Sequence, residues 1–151
     1  MATKALMDTY GKRAATLTKG SGAWLWDDQG NKYLDALSGI AVCGLGHSHT
    51  AITQAITNQS KILSHCSNFF AIPNQEALAE KICDVSGMKK VFFGNSGAEA
   101  NEAAIKLARL FGHKLGIKLP TILVMDNAFH GRTLATLSAS GGRRVQAGFE
   151  P

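Results

Sequence analysis

Apolar residues recur along the chain with two different spacings, and each spacing predicts a different kind of element. In AWLWDDQGNKYLDAL, aromatic and aliphatic residues flank a polar turn that contains Gly30, which is typical of a β-hairpin. The segment that follows, SGIAVCGLGHSHTAI, is rich in glycine and small apolar residues and indicates a buried loop leading into a helix. In that helix Ile52, Ile56 and Leu63 fall near one face, so we expect this face to pack in the core.

Two more helices are predicted in the second half of the chain. The first follows Pro73 and ends at Gly87, with acidic residues early, where they complement the helix dipole. The second begins after Ser96 and is strongly amphipathic. Glu102 and Lys106 are expected to pair on its outer side. Its apolar stripe comprises Ala100, Ala103, Ala104, Leu107, Leu110 and Phe111.

Two apolar runs flank this amphipathic helix, and both predict strands. VFF, residues 91–93, is short, whereas TILVMD, residues 121–126, is a continuous apolar run of the kind expected in a strand buried on both faces. A strand, a helix and a second strand form a βαβ unit, which favours a parallel sheet with a right-handed crossover. The predicted fold class is therefore α/β.

Composition and charge narrow the class of protein. Of the 151 residues, 45% are hydrophobic and 18% are charged, which is typical of a soluble globular protein. The net charge of +5 is spread along the chain, so nucleic acid is a weak expectation as a partner. The stretch up to Lys19 lacks the apolar core of a signal peptide, and no segment is long enough to span a bilayer. We expect a cytoplasmic protein that contacts neither nucleic acid nor a membrane.

The cysteines also bear on compartment and on metal binding. Cys43, Cys66 and Cys83 are odd in number and widely spaced, which matches neither a disulfide framework nor a CxxC pair and fits a reducing compartment. The set of Cys43, His47, His49 and Cys66 has no zinc-finger or zinc-ribbon spacing. No metal site is therefore predicted.

The first candidate site is GNSGAEANE, at the start of the amphipathic helix. Ser96 is a predicted N-cap, and Gly97 and Ala98 leave the first amides of the helix unobstructed. Such amides, together with the helix dipole and a serine hydroxyl, suit a phosphate group. The alternative is a capped helix without a ligand, because Ser96 and Glu99 also form a capping-box pattern, and spacing alone favours it. A ligand and Glu99 would compete for the same helix end.

The second candidate site is DNAFHGRTLATLSASGG, at the end of the TILVMD run. Phe129 offers a ring face to a planar heteroaromatic cofactor, and Gly131 permits a tight turn that presents Arg132. A guanidinium matches a carboxylate with two parallel hydrogen bonds, as a site for an amino-acid or oxo-acid substrate requires. A core phenylalanine and a solvated surface arginine are the alternatives, and the role of His130 is equally open.

Taken together, these segments resemble the class III pyridoxal-phosphate-dependent aminotransferases. VFFGNSGAEANEAAIKLAR followed by TILVMDNAFHGRTLATLSASG is similar to their cofactor region, and WLWDDQGNKYLDALSGIAVCGLGHSH with SNFFAIPNQEALAEKI is similar to their acetylornithine branch. The resemblance implies the N-terminal portion of a fold type I transferase. Residues 1–70 would be an N-terminal segment with the hairpin and a substrate-lining loop, and residues 71–151 would begin the large, mainly parallel cofactor-binding domain.

The resemblance also implies roles for individual residues in binding pyridoxal 5'-phosphate. Ser96, Gly97 and Ala98 would hold its phosphate. Phe129 would stack on its pyridine ring, and His130 would lie beside that ring.

Substrate binding and reaction are implied in the same way. Arg132 would bind the substrate's carboxylate, and the loop of residues 38–42, with Ile40 and Val42, would line the pocket. The implied reaction is a ping-pong transfer of the terminal amino group of N-acetylornithine to 2-oxoglutarate by a homodimer, in arginine biosynthesis. The products would be N-acetylglutamate semialdehyde and glutamate. Alternatives are a relative acting on succinylornithine, ornithine or 4-aminobutyrate, and a non-catalytic module that binds phosphate esters.

Two departures from the family pattern affect these expectations. Thr50 follows His49 where the family usually has proline, which changes only a helix-start preference. None of the eleven lysines lies in the family's Schiff-base context, and family members are more than twice as long. We therefore expect that the 151-residue chain alone does not transaminate, and that uncovered apolar faces and strand edges make it associate.

Overall fold

The structure, a computed structural model, describes residues 5–149. Its contacts divide the chain into two compact units, Met1–Phe70 and Ala71–Pro151. The first unit contains a small sheet and one helix, and the second contains four helices among its described residues. No helix in the described part of the chain is long and apolar enough to cross a membrane.

The sheet of the first unit is three-stranded and antiparallel. Strand β1, Leu17–Ser21, pairs with β2, Trp24–Asp27, and β2 pairs with β3, Lys32–Leu34. The β2–β3 hairpin confirms the prediction from AWLWDDQGNKYLDAL, whereas β1 was not predicted. Lys32 Nζ lies 4.0 Å from the centroid of the Trp24 ring, a cation–π contact between β3 and β2.

The carboxylate of Asp27 organises the turn between β2 and β3. It accepts hydrogen bonds from the N–H groups of Gln29 and Asn31, from Asn31 Nδ2 and from the Tyr33 hydroxyl, all between 2.8 and 2.9 Å. These donors favour the charged form, the Asn31 side chain most strongly, and lower the pKa of Asp27 from 3.8 to about 2. The turn is therefore held by one buried, fully hydrogen-bonded anion.

The loop after the hairpin has an unusual backbone. Ser38, Gly39, Ile40 and Ala41 have successive φ values of 46°, 64°, 58° and 65°, so three residues that carry a Cβ lie in the left-handed region. Each such residue costs roughly 1–2 kcal/mol relative to right-handed backbone. The prediction of a buried loop is wrong, because Ile40 and Val42 are 82% and 83% exposed.

The first helix, α1, spans Thr50–Ser60 and ends earlier than the pattern predicted. None of its residues is buried, so the expectation that its apolar face packs in a core is wrong for the described structure. Ile52 and Ile56 are 45% and 63% exposed. Periodicity identifies which face of a helix is apolar, but it does not determine whether another element covers that face.

The two long helices of the second unit begin where the sequence predicts. Helix α2, Pro73–Ser86, starts at its proline and is followed by Gly87, and α3, Gly97–Lys114, has Ser96 as its N-cap. The short helices α4, Leu134–Ala139, and α5, Arg143–Gln146, were not predicted. The apolar stripe of α3 is largely exposed at Leu107, Leu110 and Phe111.

The two predicted strands that flank α3 are not formed. Residues 91–93 and 121–126 make no sheet ladder within the described chain, and the only described sheet is the antiparallel one. Leu123, expected inside a parallel sheet, is 92% exposed. A strand requires a partner, and in parallel sheets that partner need not be a sequence neighbour, so a local apolar run predicts the tendency without the pairing.

The buried part of the second unit lies around α4. Leu137 is the one buried large apolar residue among those described, and Thr136 and Ser140, on the same helix and at its end, are 0% and 2% exposed. Both hydroxyl groups are hydrogen-bonded, as burial of polar groups requires. This small polar core fixes the loop that precedes α4.

Candidate functional site

The N-terminus of α3 combines a side-chain cap with free amides. The Ser96 Oγ accepts a hydrogen bond from the Glu99 N–H at 3.2 Å, and the Ser96 carbonyl accepts from the Ala100 N–H at 3.1 Å. Within residues 5–149, the N–H groups of Gly97 and Ala98 have no acceptor. A helix start with free N–H groups carries roughly half a positive elementary charge and suits an anion.

The carboxylate of Glu99 turns away from these free amides. It accepts hydrogen bonds from the backbone N–H of Asn95 and, at 3.2 Å, from Asn95 Nδ2. These bonds, the one from the Asn95 side chain above all, lower the pKa of Glu99. The predicted capping box is therefore formed in part, since Glu99 reaches Asn95 instead of the N-cap residue, and the helix end remains available. The Ser96 hydroxyl still has its own proton to donate.

The second candidate segment packs directly against this helix end. A Cβ placed on Gly131 would stand 2.8 Å from the Ala98 Cβ and 2.6 Å from Thr136 Oγ1, so only glycine fits there. Asn101 Nδ2 donates a hydrogen bond of 2.8 Å to the His130 carbonyl oxygen. The residues of the two predicted sites thus meet in one place.

A second tie joins α3 to the start of α4. The Thr133 hydroxyl donates a hydrogen bond to the Glu102 carboxylate. The predicted pairing of Glu102 with Lys106 is not formed in the described structure, where the Glu102 carboxylate accepts from Thr133 instead. An isolated ion pair on a helix surface contributes little, so a hydroxyl donor from the next segment can displace it.

Buried hydroxyl groups hold the other side of the loop. The Ser140 Oγ accepts from the His130 N–H at 3.1 Å and donates to the Thr136 carbonyl at 2.9 Å. The Thr136 Oγ1 accepts from the Thr133 N–H at 3.1 Å. Sequence reasoning missed Asn101, Thr136 and Ser140, although a polar residue beside the apolar stripe of α3 and the hydroxyl-rich run TLATLSAS were visible signals.

The side chains presented by this loop point into the open. Phe129 is 67% exposed, so the alternative of a core phenylalanine is wrong. The Arg132 guanidinium carbon lies 5.6 Å from the centroid of the Phe129 ring, within cation–π distance. An accessible aromatic ring, a guanidinium and two free helix amides therefore share one region.

The other predicted site residues, Ile40 and Val42, belong to the first unit. Both are exposed on the left-handed loop. No group of three or more metal-ligating side chains is found among the described residues, Cys43, Cys66 and Cys83 included.

This arrangement fits a flat ring that carries a phosphate. The free amides and the Ser96 hydroxyl are donors of the kind that a phosphate accepts, and Phe129 has an exposed ring on the loop whose Gly131 contacts Ala98. A family model, Aminotransferase class-III, matches residues 7–151. The chain belongs to the class-III aminotransferase family. The predicted family membership is thereby confirmed, and pyridoxal phosphate is the cofactor of this class of enzymes.

Similar proteins support the same family. The chain is 61% identical over 146 residues to the acetylornithine aminotransferase of Nitrosomonas europaea and 53% identical over 147 residues to that of Prochlorococcus marinus. These matches cover 97% of this chain but 37% and 35% of the relatives. The chain therefore spans little more than a third of their length.

Solved aminotransferase structures confirm the predicted fold. The ornithine aminotransferase of Toxoplasma gondii matches 97% of this chain and 35% of its own, with a TM-score of 0.88 at 27% identity. The taurine:2-oxoglutarate aminotransferase of Bifidobacterium kashiwanohense, solved with pyridoxal phosphate and glutamate, matches 95% and 32% with a TM-score of 0.85 at 30% identity. The α/β class and the fold type I assignment hold, although the strands predicted around α3 are unpaired here.

Proposed function

We propose that a protein carrying this chain is a pyridoxal-phosphate-dependent aminotransferase that moves the terminal amino group of N-acetylornithine to 2-oxoglutarate. The products are N-acetylglutamate semialdehyde and glutamate. The observation that carries the proposal is the contact between Ala98 and Gly131, which joins the free amides of α3 to the loop of Phe129 and Arg132.

The residues divide the work of holding the cofactor. Ser96, Gly97 and Ala98 bind the phosphate through one hydroxyl and two amides. Phe129 packs on the pyridine ring, with His130 beside it. The bound cofactor supplies the aldehyde that takes up the amino group and the ring that withdraws electrons. The chain's own contribution is placement and charge.

Substrate recognition requires a carboxylate partner and a shaped wall. Arg132 binds the substrate carboxylate through its planar fork, and Ile40 and Val42 line the pocket. Ornithine, succinylornithine and 4-aminobutyrate also carry a carboxylate, so Arg132 alone does not choose among these amines. We propose N-acetylornithine as the amine donor because the relatives at 61% and 53% identity are named acetylornithine aminotransferases. We further propose a role in arginine biosynthesis, as a cytoplasmic homodimer, which the resemblance to the acetylornithine branch implies.

The 151-residue chain alone is proposed to be inactive, because none of its lysines lies in the family's Schiff-base context. The test is a chimera in which this chain replaces the matching 146 residues of the Nitrosomonas europaea enzyme, which supplies the remaining sequence. Glutamate formation from 2-oxoglutarate is measured with N-acetylornithine, ornithine, succinylornithine and 4-aminobutyrate. We expect turnover by the chimera, with the highest kcat/KM for N-acetylornithine, and none above the free-cofactor rate by the chain alone.

Other outcomes would replace the proposal with a specific alternative. A higher kcat/KM for another amine would reassign the substrate within the family. A folded chimera that binds pyridoxal phosphate but transfers no amino group from any of the four amines would favour a non-catalytic phosphate-ester site. Turnover by the 151-residue chain itself would refute the proposed need for a lysine outside it.

A further inference from the structure

The left-handed loop of the first unit is unusual, because three of its four successive left-handed residues carry a Cβ. Ser38, Ile40 and Ala41 all have φ between 46° and 65°, and Ile40 is β-branched. A β-branched residue in this region is a clear outlier, and strained backbone persists only where the surrounding structure determines it. The internal hydrogen bonds of the loop, such as Cys43 N–H to the Ser38 carbonyl at 2.9 Å, close the turn but do not attach it to the sheet.

One carboxylate touches both ends of this loop. Asp35 Oδ1 accepts from the N–H groups of Leu37 and Ser38, at 3.0 and 2.7 Å. Asp35 Oδ2 lies 2.6 Å from His47 Nε2. Residues 36–46 are therefore closed at their start and their end by the two oxygens of the same side chain.

His47 is in turn fixed to the sheet by independent contacts. Its backbone pairs with Gly22 in both directions, at 2.8 and 2.9 Å. A Cβ on Gly20, in β1, would stand 2.7 Å from both Cβ and Cγ of His47, so the imidazole lies directly over the bare backbone of this glycine. The Ser48 hydroxyl adds a hydrogen bond of 2.9 Å to the Gly20 carbonyl. These contacts fix the position of the imidazole that pairs with Asp35.

We propose that Asp35 is a positioning residue that, through His47, clamps residues 36–46, holds the left-handed turn at residues 38–41 and so sets where Ile40 and Val42 are presented. The clamp itself rests on contacts within the first unit. The effect of the clamp on substrate binding rests on the proposed function, in which Ile40 and Val42 line the pocket. Without the clamp, the turn relaxes toward right-handed backbone and the two side chains move.

The Cys43 thiol provides a chemical probe for relaxation of the turn. Cys43 lies in the loop, is half-buried and is a free thiol, and Cys66, also half-buried and in the same unit, lies outside the loop. Alkylation of each thiol by iodoacetamide, followed by peptide mass spectrometry, gives a separate rate for the two sites in one sample. The 151-residue chain is used without cofactor or substrate.

Four single variants and the double variant Asp35→Asn/His47→Leu separate the clamp from a general loss of structure. Asp35→Asn removes the charged acceptor, His47→Leu removes the imidazole, and His47→Gln keeps an N–H donor near the Nε2 position. Asp28→Asn changes an exposed carboxylate in the hairpin turn. We expect Asp35→Asn and His47→Leu to raise the Cys43 rate at least fivefold, with the Cys66 rate unchanged. The double variant should add no more than twofold over either one. His47→Gln should return the Cys43 rate to within twofold of the parent, and Asp28→Asn should leave it there.

Each contrary result overturns the clamp. An unchanged Cys43 rate in Asp35→Asn would show that the loop holds its shape without this carboxylate. An equal rise at Cys66 would show that the pair serves the whole unit, and additive effects would show that Asp35 does not act through His47. These measurements involve no aminotransfer, so their failure leaves the proposed function standing, and an inactive chimera leaves the clamp standing.

Discussion

Gly131 lies so close to Ala98 that a Cβ on the glycine would stand 2.8 Å from the alanine Cβ. This contact brings the start of α3 and the loop of Phe129 and Arg132 together. The backbone of Gly131 also has a φ of 132°, which side chains rarely allow. The junction therefore depends on the absence of a side chain at position 131.

Gly131→Ala should open this junction. The added methyl group meets Ala98 and Thr136 in a packed region, and overpacking of this kind costs about 1–3 kcal/mol. We expect a lower urea midpoint when helix content is followed by circular dichroism. Tryptophan fluorescence should keep its midpoint, because both tryptophans lie in β2. Gly142→Ala is the matched control, since a Cβ there meets only Val145 Cγ2 at 3.5 Å, and an equal loss in that variant would contradict the prediction.

Asn101→Asp should loosen the loop without removing volume. The amide donor to the His130 carbonyl becomes a carboxylate that repels it, which costs about 1–3 kcal/mol and corresponds to roughly 5- to 150-fold faster local opening. Amide hydrogen exchange across residues 128–133 should accelerate by that factor. Asn58→Asp is the control, because Asn58 accepts its hydrogen bond from Gln54 and aspartate keeps that acceptor. Unchanged exchange in Asn101→Asp would show that packing alone holds the loop.

Ser96→Ala tests the phosphate end of the site in the chimera. The substitution removes both the helix cap and the hydroxyl offered to the phosphate, and a hydrogen bond to a charged group contributes about 1.5–3 kcal/mol. The Kd for pyridoxal phosphate should rise about tenfold or more, whereas the Kd for pyridoxal, which has no phosphate, should change little. Ser60→Ala, on α1, should leave both values unchanged. An equal loss for both ligands would assign Ser96 a structural role only.

The hairpin should lose stability in acid through Asp27. Its folded pKa of about 2 lies below the ordinary 3.8, so its contribution is present above pH 4 and disappears as the pH falls toward 2. Hydrogen bonding to Asp27 raises the pKa of Tyr33. The neutral Tyr33 hydroxyl therefore stabilises the hairpin below pH 10, and this stabilisation is lost at higher pH. Tryptophan fluorescence against pH should show both limbs. Asp27→Asn should abolish the loss of stability in acid, whereas Asp28→Asn should retain most of it. Asp35 makes a smaller contribution to this loss, because His47 lowers its pKa.

The elements that the sequence predicted are those with local causes. Pro73 starts α2 because its missing N–H is harmless at the first helical position, and Ser96 starts α3 because its hydroxyl caps a nearby amide. The polar turn around Gly30 likewise needed only its own residues. These features depend on atoms a few positions apart, so a sequence pattern contains them.

The features that escaped prediction depend on distant residues. Asn101 bonds a carbonyl 29 positions away, and no spacing rule links the two. In the proposed clamp, the left-handed turn at Ile40 depends on His47, which is itself fixed by Gly20 and Gly22. The run at residues 121–126 has the composition of a buried strand but no partner among the described residues. Of the candidate site, the sequence predicted the residue types, whereas the structure added the packing at Ala98 that brings the two segments together.

Asn101 donates its hydrogen bond to the backbone carbonyl of His130, and the imidazole takes no part in this bond. Any amino acid at that position has the same carbonyl oxygen, so exchanging the side chain there alters chemistry while the loop's anchorage is conserved. Substitutions at position 130 would therefore vary reactivity or selectivity while the backbone of the loop stays in place.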